Sequence, residues 1–136
     1  MIRDFGGQLN CELDYPGMVY VGGPVNAKSL SFLHTSEWAC KNTMRVNNIF
    51  SVSSADDIIP RLAMGDCPRY WRIFLGMCGW GPGQLLGEVK GLPPWQRETS
   101  WCLASSDLDL VFDQDGDDQW ESALDRSGLE FAQNIL

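Results

Sequence analysis

Histidine occurs once in this 136-residue chain, so any imidazole acid–base or metal chemistry has only His34 to rest on. Long apolar runs are missing as well. None approaches the ~20 residues needed to cross a bilayer, which excludes a membrane-inserted chain. Residues 1–10 carry Arg3 and Asp4 but no apolar core of a secretory signal, so nothing in them directs export. No Lys/Arg cluster is present to neutralise a run of phosphates, which disfavours direct nucleic-acid binding; only Arg61, Arg69 and Arg72 offer material for a local basic patch. The five cysteines, at 11, 40, 67, 78 and 102, are odd in number and include no Cys-x-x-Cys pair. With a single His they complete no zinc set. Reduced, mostly packed thiols are the expectation, and they point to the cytoplasm.

What is present is an ordinary globular composition, 44% hydrophobic and 21% charged, enough for one compact domain with one core. The net charge of −8 is unevenly placed. Residues 1–106 hold nine acids and nine bases, whereas residues 107–136 hold nine acids and one base. An acidic C-terminal stretch of this kind belongs at a solvent face or against a basic partner.

Punctuation by Gly and Pro divides the chain. Residues 1–14 show no convincing period and read as a loop or weak strand. Met18–Val21 is an apolar run that stops at Gly22-Gly23-Pro24, and apolar character resumes over Ser29–Leu33, which predicts strand, sharp turn, strand. Val46–Val52 alternates weakly and predicts another strand. Ser53 or Ser54 suits a helix cap, with Asp56 and Asp57 in the positive first turn and Ile58, Ile59, Leu62 and Ala63 on one face up to Gly65. Pro60 conflicts with a helix interior.

Tyr70–Met77 reads as a buried central strand whose Arg72 must face a partner or an edge. Pro82 suits the first position of a helix over Gly81–Lys90, weakened by Gly87. Gly91–Thr99 is a loop, Ser100–Ala104 and Leu108–Phe112 are strand-like, and a final helix over Asp117–Ser127 presents Trp120, Ala123 and Leu124 before Gly128.

Two Gly-rich turns are the candidate sites. Gly79-Trp80-Gly81-Pro82-Gly83-Gln84 places glycines ahead of a helix, where free N–H groups hold anions. It lacks the Lys and Ser/Thr of a Walker loop and the spacing of a dinucleotide fingerprint. Tight-turn chemistry competes with ligand contact there, and equally at Gly22-Gly23-Pro24. If the two turns meet, their amides, Gln84 and His34 line one pocket with Trp80 beside it. The sole imidazole reads better as a hydrogen-bonded structural group than as a catalyst, because no base–nucleophile motif surrounds it in sequence. Asp113-Gln-Asp115-Gly-Asp117-Asp118 fails as an EF-hand, since Gly116 falls at loop position 4 and Leu124 at position 12. No cofactor is indicated.

Met18-Val-Tyr-Val-Gly-Gly-Pro-Val25 followed by Phe32-Leu33-His34 resembles the first signature of the AlgH/YqgE family. Tyr70-Trp-Arg-Ile-Phe-Leu-Gly-Met-Cys-Gly-Trp-Gly-Pro-Gly-Gln-Leu85, with Glu88 in the next helix, is similar to its second. Trp101 with Leu103-Ala104, Asp107 through Phe112-Asp113 and Trp120-Glu-Ser-Ala-Leu124 follow its C-terminal order. On the resemblance, residues 18–136 form the family domain and residues 1–17 are a diverged segment without a clear counterpart of the family's first strands. Met77-Cys78 replaces the commoner Tyr-Ala, and the loop over Gly91–Thr99 is longer than usual.

The resemblance implies an α+β fold, a compact single domain with a mixed, partly barrel-like β-sheet flanked by short helices. The family's regulatory name comes from an association with alginate gene expression in some bacteria, and its signature turns imply no DNA-reading motif. Two functions are expectations here. The first is a non-enzymatic binding or regulatory module acting through Gly22, Gly23, His34, Trp80, Gly81, Gly83 and Gln84 on a protein partner or a small anionic ligand. The second is an enzyme with His34, Cys78 and Glu88 in one pocket. Absent family strands would leave a sheet edge or core face for a second copy to cover, which predicts a homodimer.

Overall fold

The computed structural model describes residues 19–95 and 101–135, the stretch 129–135 by backbone alone. The expected loop or weak strand over residues 1–14 lies outside them. Contacts gather the chain into two compact units divided between Cys78 and Gly79, and each is described by itself.

In the first unit Gly22-Gly23-Pro24 separates β1, Val19–Val21, from β2, Val25–Thr35, as the broken apolar runs predict. The strand expected over Val46–Val52 is instead a small hairpin, β3 at Met44–Arg45 and β4 at Phe50–Ser54. Asn47 makes the difference, because its side-chain oxygen accepts the N–H groups of Ile49 and Phe50 at 2.8 Å each, closing the chain into a turn where alternation implied continuity.

Helix α1, Ala55–Ala63, starts after Ser54 with Asp56 and Asp57 in its first turn, and buries Ile58 and Leu62. Pro60 is tolerated inside it on a side where both Pro60 and Asp56 are exposed, so the carbonyl that loses its N–H partner stays in reach of water. Strand β5, Trp71–Met77, completes the unit.

The sheet runs β1-β5-β2-β4-β3, with β1 parallel to β5 and every other pairing antiparallel. This is the mixed sheet of an α+β fold. Among the described residues it is open, ending at β1 and β3, and shows no barrel closure. Because side chains alternate along a strand, Phe32 and His34 of β2 share one face. Phe32, Trp38, Ile58 and Leu62 form the core there, with Trp71 packed 5.5 Å from Phe32 between ring centroids. Arg72 is buried in β5 and stacks its guanidinium 4.8 Å over the Tyr20 ring of β1, a partner on the neighbouring strand.

Past α1 the chain is fastened by a polar cluster. Trp38 Nε1 donates to Asp66 at 2.8 Å, and Arg61 pairs with the same carboxylate while lying 4.7 Å over the Trp38 ring. The Trp38 indole first, and the Arg61 guanidinium second, hold the Asp66 carboxyl below its ordinary range. A carboxylate depressed in this way contributes stability that is present above its unfolded pKa and is lost as pH falls through the folded value. Stability is therefore expected to fall on acidification below about pH 4, with a shallower acid limb in Asp66→Asn. Urea midpoints measured across that range check this, and superimposable acid limbs would refute it.

The second unit departs further from expectation. Helix α2 is Gln84–Lys90 rather than Gly81–Lys90, because Gly83 adopts a left-handed φ of 73° that no helix interior accepts. Gly87 is needed on the buried side of α2, where a β-carbon would run into the Trp95 ring. The strand expected at Leu108–Phe112 is a π-helical turn, Asp109–Asp113, burying Leu110 and Phe112. Asp107 lies just ahead of it and accepts the Leu110 N–H at 2.9 Å. The Leu110 amide foremost, with Arg126 assisting, lowers the Asp107 pKa. Residues 101–106 form no strand either.

Helix α3 spans Gly116–Ile135 and continues through Gly128. That glycine does not take a left-handed φ, so it gives no stop signal. The face carrying Trp120 and Leu124 is exposed rather than packed, at 67% and 41%.

Candidate functional site

The first Gly-rich turn is built by contact between backbones. A β-carbon on Gly22 would strike the Gly76 carbonyl oxygen, one on Gly23 the Met77 carbonyl, and one on Gly76 the Gly23 carbonyl. Gly23 and Gly76 also hold φ values of 147° and 74°, where side chains are strained. The Gly22 N–H donates to Leu75 at 2.8 Å. Cys78, exposed beside the turn, donates its thiol to the Gly22 carbonyl at 3.5 Å. The geometry accounts for the glycines by close packing of β1 and β5, without any ligand.

His34 has none of its surface exposed. Its Nδ1 lies 2.9 Å from the Thr35 carbonyl oxygen, which can only accept, so Nδ1 carries the proton in the neutral ring. Its Nε2 then accepts from the Ser53 hydroxyl at 2.8 Å. Ser53, itself 1% exposed, is 2.8 Å from Thr43 Oγ1, which takes the Cys40 N–H at 2.7 Å and lies 3.4 Å from Cys40 Sγ. Trp38 closes the ring's side at 5.3 Å, edge to face. Both ring nitrogens are thus committed inside the protein.

Beside this network Glu37 has a lowered pKa. Burial pushes it up, but the hydrogen bonds donated by the Arg69 N–H and the Thr35 hydroxyl, foremost among the lowering causes, outweigh that.

The second turn lies in the other unit and is closed by its own residues. Gln84 Oε1 accepts the Gly81 N–H at 3.0 Å, and Gln84 Nε2 donates to Glu88 at 2.9 Å. Trp80 Nε1 reaches the other Glu88 oxygen at 3.4 Å. Gln84 therefore takes the Gly81 amide that an anion would need, and Glu88 adds a like charge beside it. Gly83 and Gly79 face open space.

What the turn leaves outward is apolar. Trp80 and Trp101 meet edge to face at 6.1 Å, each 42% exposed, and α2 exposes Leu85, Leu86 and Val89. Spacing by three and four residues puts Leu85, Leu86 and Val89 on one helical face.

The seven residues singled out from the sequence therefore divide. Gly22, Gly23 and His34 belong to the first unit and are engaged in its packing and hydrogen bonding, while Trp80, Gly81, Gly83 and Gln84 belong to the second. Residues that the sequence did not single out as site candidates are Gly76, Ser53, Thr43, Cys40 and Trp101. Apart from the Cys40–Thr43 pair, three residues apart, their partners lie ten or more residues away, a signal that local pattern does not carry.

The expectation of reduced, mostly packed thiols is corrected twice: Cys67 is disulfide-bonded, and of the free cysteines Cys78 and Cys102 are exposed while Cys40 is half-buried. Among the described residues no group of His, Cys, Asp and Glu could hold a metal ion, and no helix is long and apolar enough to cross a membrane.

The profile of the AlgH-like family matches residues 2–132. A UPF0301 protein of Methylococcus capsulatus is 35% identical over 111 residues, covering 82% of this chain and 57% of its own length. A UPF0301 protein of Sphingopyxis alaskensis is 30% identical over 130 residues, covering 96% of this chain and 65% of its own. The solution structure of the AlgH protein from Pseudomonas aeruginosa superimposes with a TM-score of 0.66 at 27% identity, covering 81% of this chain and 54% of that one. The chain spans little more than half the length of most of these relatives.

Proposed function

Because the chain belongs to the AlgH-like family, whose UPF0301 members carry no assigned activity, we propose that it is a non-enzymatic interaction module whose binding surface is the apolar face of α2 with Trp80 and Trp101. The observation that carries this is the pair of half-exposed tryptophans beside three exposed aliphatic residues of one short helix. Tryptophan is enriched among residues that dominate binding energy, and exposed apolar area of this kind marks contact surfaces. The partner expected first is a second copy of the chain. A small anion fits the turn poorly, for Gln84 and Glu88 occupy it.

The enzymatic reading asks for an imidazole open to substrate, and a fully buried His34 does not provide one. A cytoplasmic location belongs to the same proposal and is supported by three free thiols. The disulfide at Cys67 counts the other way, since such bonds are rare in reducing compartments.

Site-specific photocrosslinking tests the surface. A photoreactive residue in place of Leu86 is expected to give a discrete crosslinked species, whereas the same residue in place of the exposed Asp56 gives none. Equal crosslinking at both positions, or none at Leu86, would contradict the proposal.

A further inference from the structure

The Glu88 carboxylate is half-buried, and both groups that hydrogen-bond to it are neutral: the Gln84 amide at 2.9 Å and the Trp80 indole N–H at 3.4 Å. Among the described residues no Lys, Arg or His forms a salt bridge with it. Its charge is left to be balanced from outside the fold.

Beside it stand the two half-exposed indoles. Trp80 meets Glu88 through the N–H on its edge, so that hydrogen bond uses neither of its faces. The Trp101 ring lies 6.1 Å away with its plane inclined at 64° to that of Trp80. A group lodged in the angle between rings so inclined touches a face of each. Indole faces carry the negative part of the ring quadrupole and attract cations. Carboxylate and ring faces therefore pull on a ligand with the same sign.

The kind of cation follows from the surroundings. A metal ion needs several ligand atoms in place of its water, and among the described residues no group of His, Cys, Asp and Glu could hold one. Leu85, exposed and one turn before Glu88 on α2, adds apolar surface instead. Indoles and an aliphatic side chain suit an alkylated ammonium, whose methyl groups need no hydrogen bonds while its charge rests over the rings.

We propose that Trp80, Trp101 and Glu88 form a binding site for a small alkylammonium cation of the trimethylammonium class. The inference rests on the proposed surface in one respect, the outward placing of both tryptophans, and needs no second copy of the chain.

The test follows the tryptophan indole N–H signals of the isotope-labelled full chain by nuclear magnetic resonance, with the protein diluted until sedimentation gives the monomer. Choline is titrated in parallel with its uncharged isostere, in which carbon replaces nitrogen, and with potassium chloride at equal ionic strength. Choline is expected to shift the Trp80 and Trp101 signals saturably and to leave that of Trp38, which is tied to Asp66 in the first unit, unmoved. The isostere should bind about fivefold more weakly or worse, and potassium should move neither signal.

Glu88→Gln keeps an oxygen for the Trp80 N–H and removes only the charge. It should weaken choline about fivefold without changing the affinity of the isostere. Both tryptophans remain in that variant, so its self-association should match that of the parent, and loss of the cation is read separately from loss of the interface. The comparison of choline with its isostere uses the parent chain and decides even where the variant does not fold. Equal affinities for the two, no shift at either tryptophan, or an unchanged choline affinity in folded Glu88→Gln overturns the proposal.

Discussion

Gly76→Ala is expected to abolish most of the stability of the first unit, although it adds one methyl group. The new β-carbon meets the Gly23 carbonyl oxygen, a backbone atom that cannot rotate away, and φ at this position is 74°. Holding a residue other than Gly in that conformation costs about 1–3 kcal/mol, and overpacking a close contact costs about 1–3 kcal/mol more. Together these approach the lower end of the total stability of a domain, about 5 kcal/mol. Gly79→Ala is the matched control, because its β-carbon has nothing within 4 Å, and should shift stability by less than about 0.5 kcal/mol. Urea denaturation of both proteins reads the contrast. Equal midpoints would remove the argument that the Gly22-Gly23 turn exists for the packing of β1 on β5.

His34→Ala is expected to be comparably damaging for a different reason. It opens a cavity beside Trp38, leaves the Ser53 hydroxyl with Thr43 as its remaining partner and takes the imidazole donor from the Thr35 carbonyl oxygen in the interior. Loss of a buried hydrogen bond costs about 0.5–1.5 kcal/mol, and large-to-small truncation in a core about 2–5 kcal/mol. His34→Gln retains an acceptor for Ser53 and should lose clearly less. If His34→Ala melted like the parent, the imidazole would have no structural part and the catalytic reading would regain its ground.

These two positions show what sequence could and could not disclose. Gly22-Gly23-Pro24 and Gly79–Gln84 look alike in one dimension, because glycine advertises backbone freedom without saying what uses it. The first turn is committed to Gly76 and Met77 on a distant strand; the second is closed by Gln84 within its own turn. Helix α1 was legible because cap, acidic first turn and apolar face all agree within a dozen residues.

Where one local side chain overrides periodicity, pattern fails. Asn47 splits a weak alternation into a hairpin, and Asp107 turns an apparent strand into a helical turn. The network of His34 joins residues 3, 10 and 19 apart, so the structural role of the lone imidazole was inferable from its isolation while its link to Cys40 was not. Exposure on α3 could not be read either, since Trp120 and Leu124 share a face whether or not anything covers it.

On the proposed function, the outward-facing tryptophans of the second unit serve binding while the buried groups of the first serve the fold. Sedimentation equilibrium of the parent chain and Trp80→Ala tests it most directly. The account predicts a parent dimer, and a Trp80→Ala protein that keeps its melting behaviour while its self-association weakens by about 2 kcal/mol, roughly thirtyfold. A parent chain that stays strictly monomeric, or a dimer indifferent to the loss of Trp80, would contradict it.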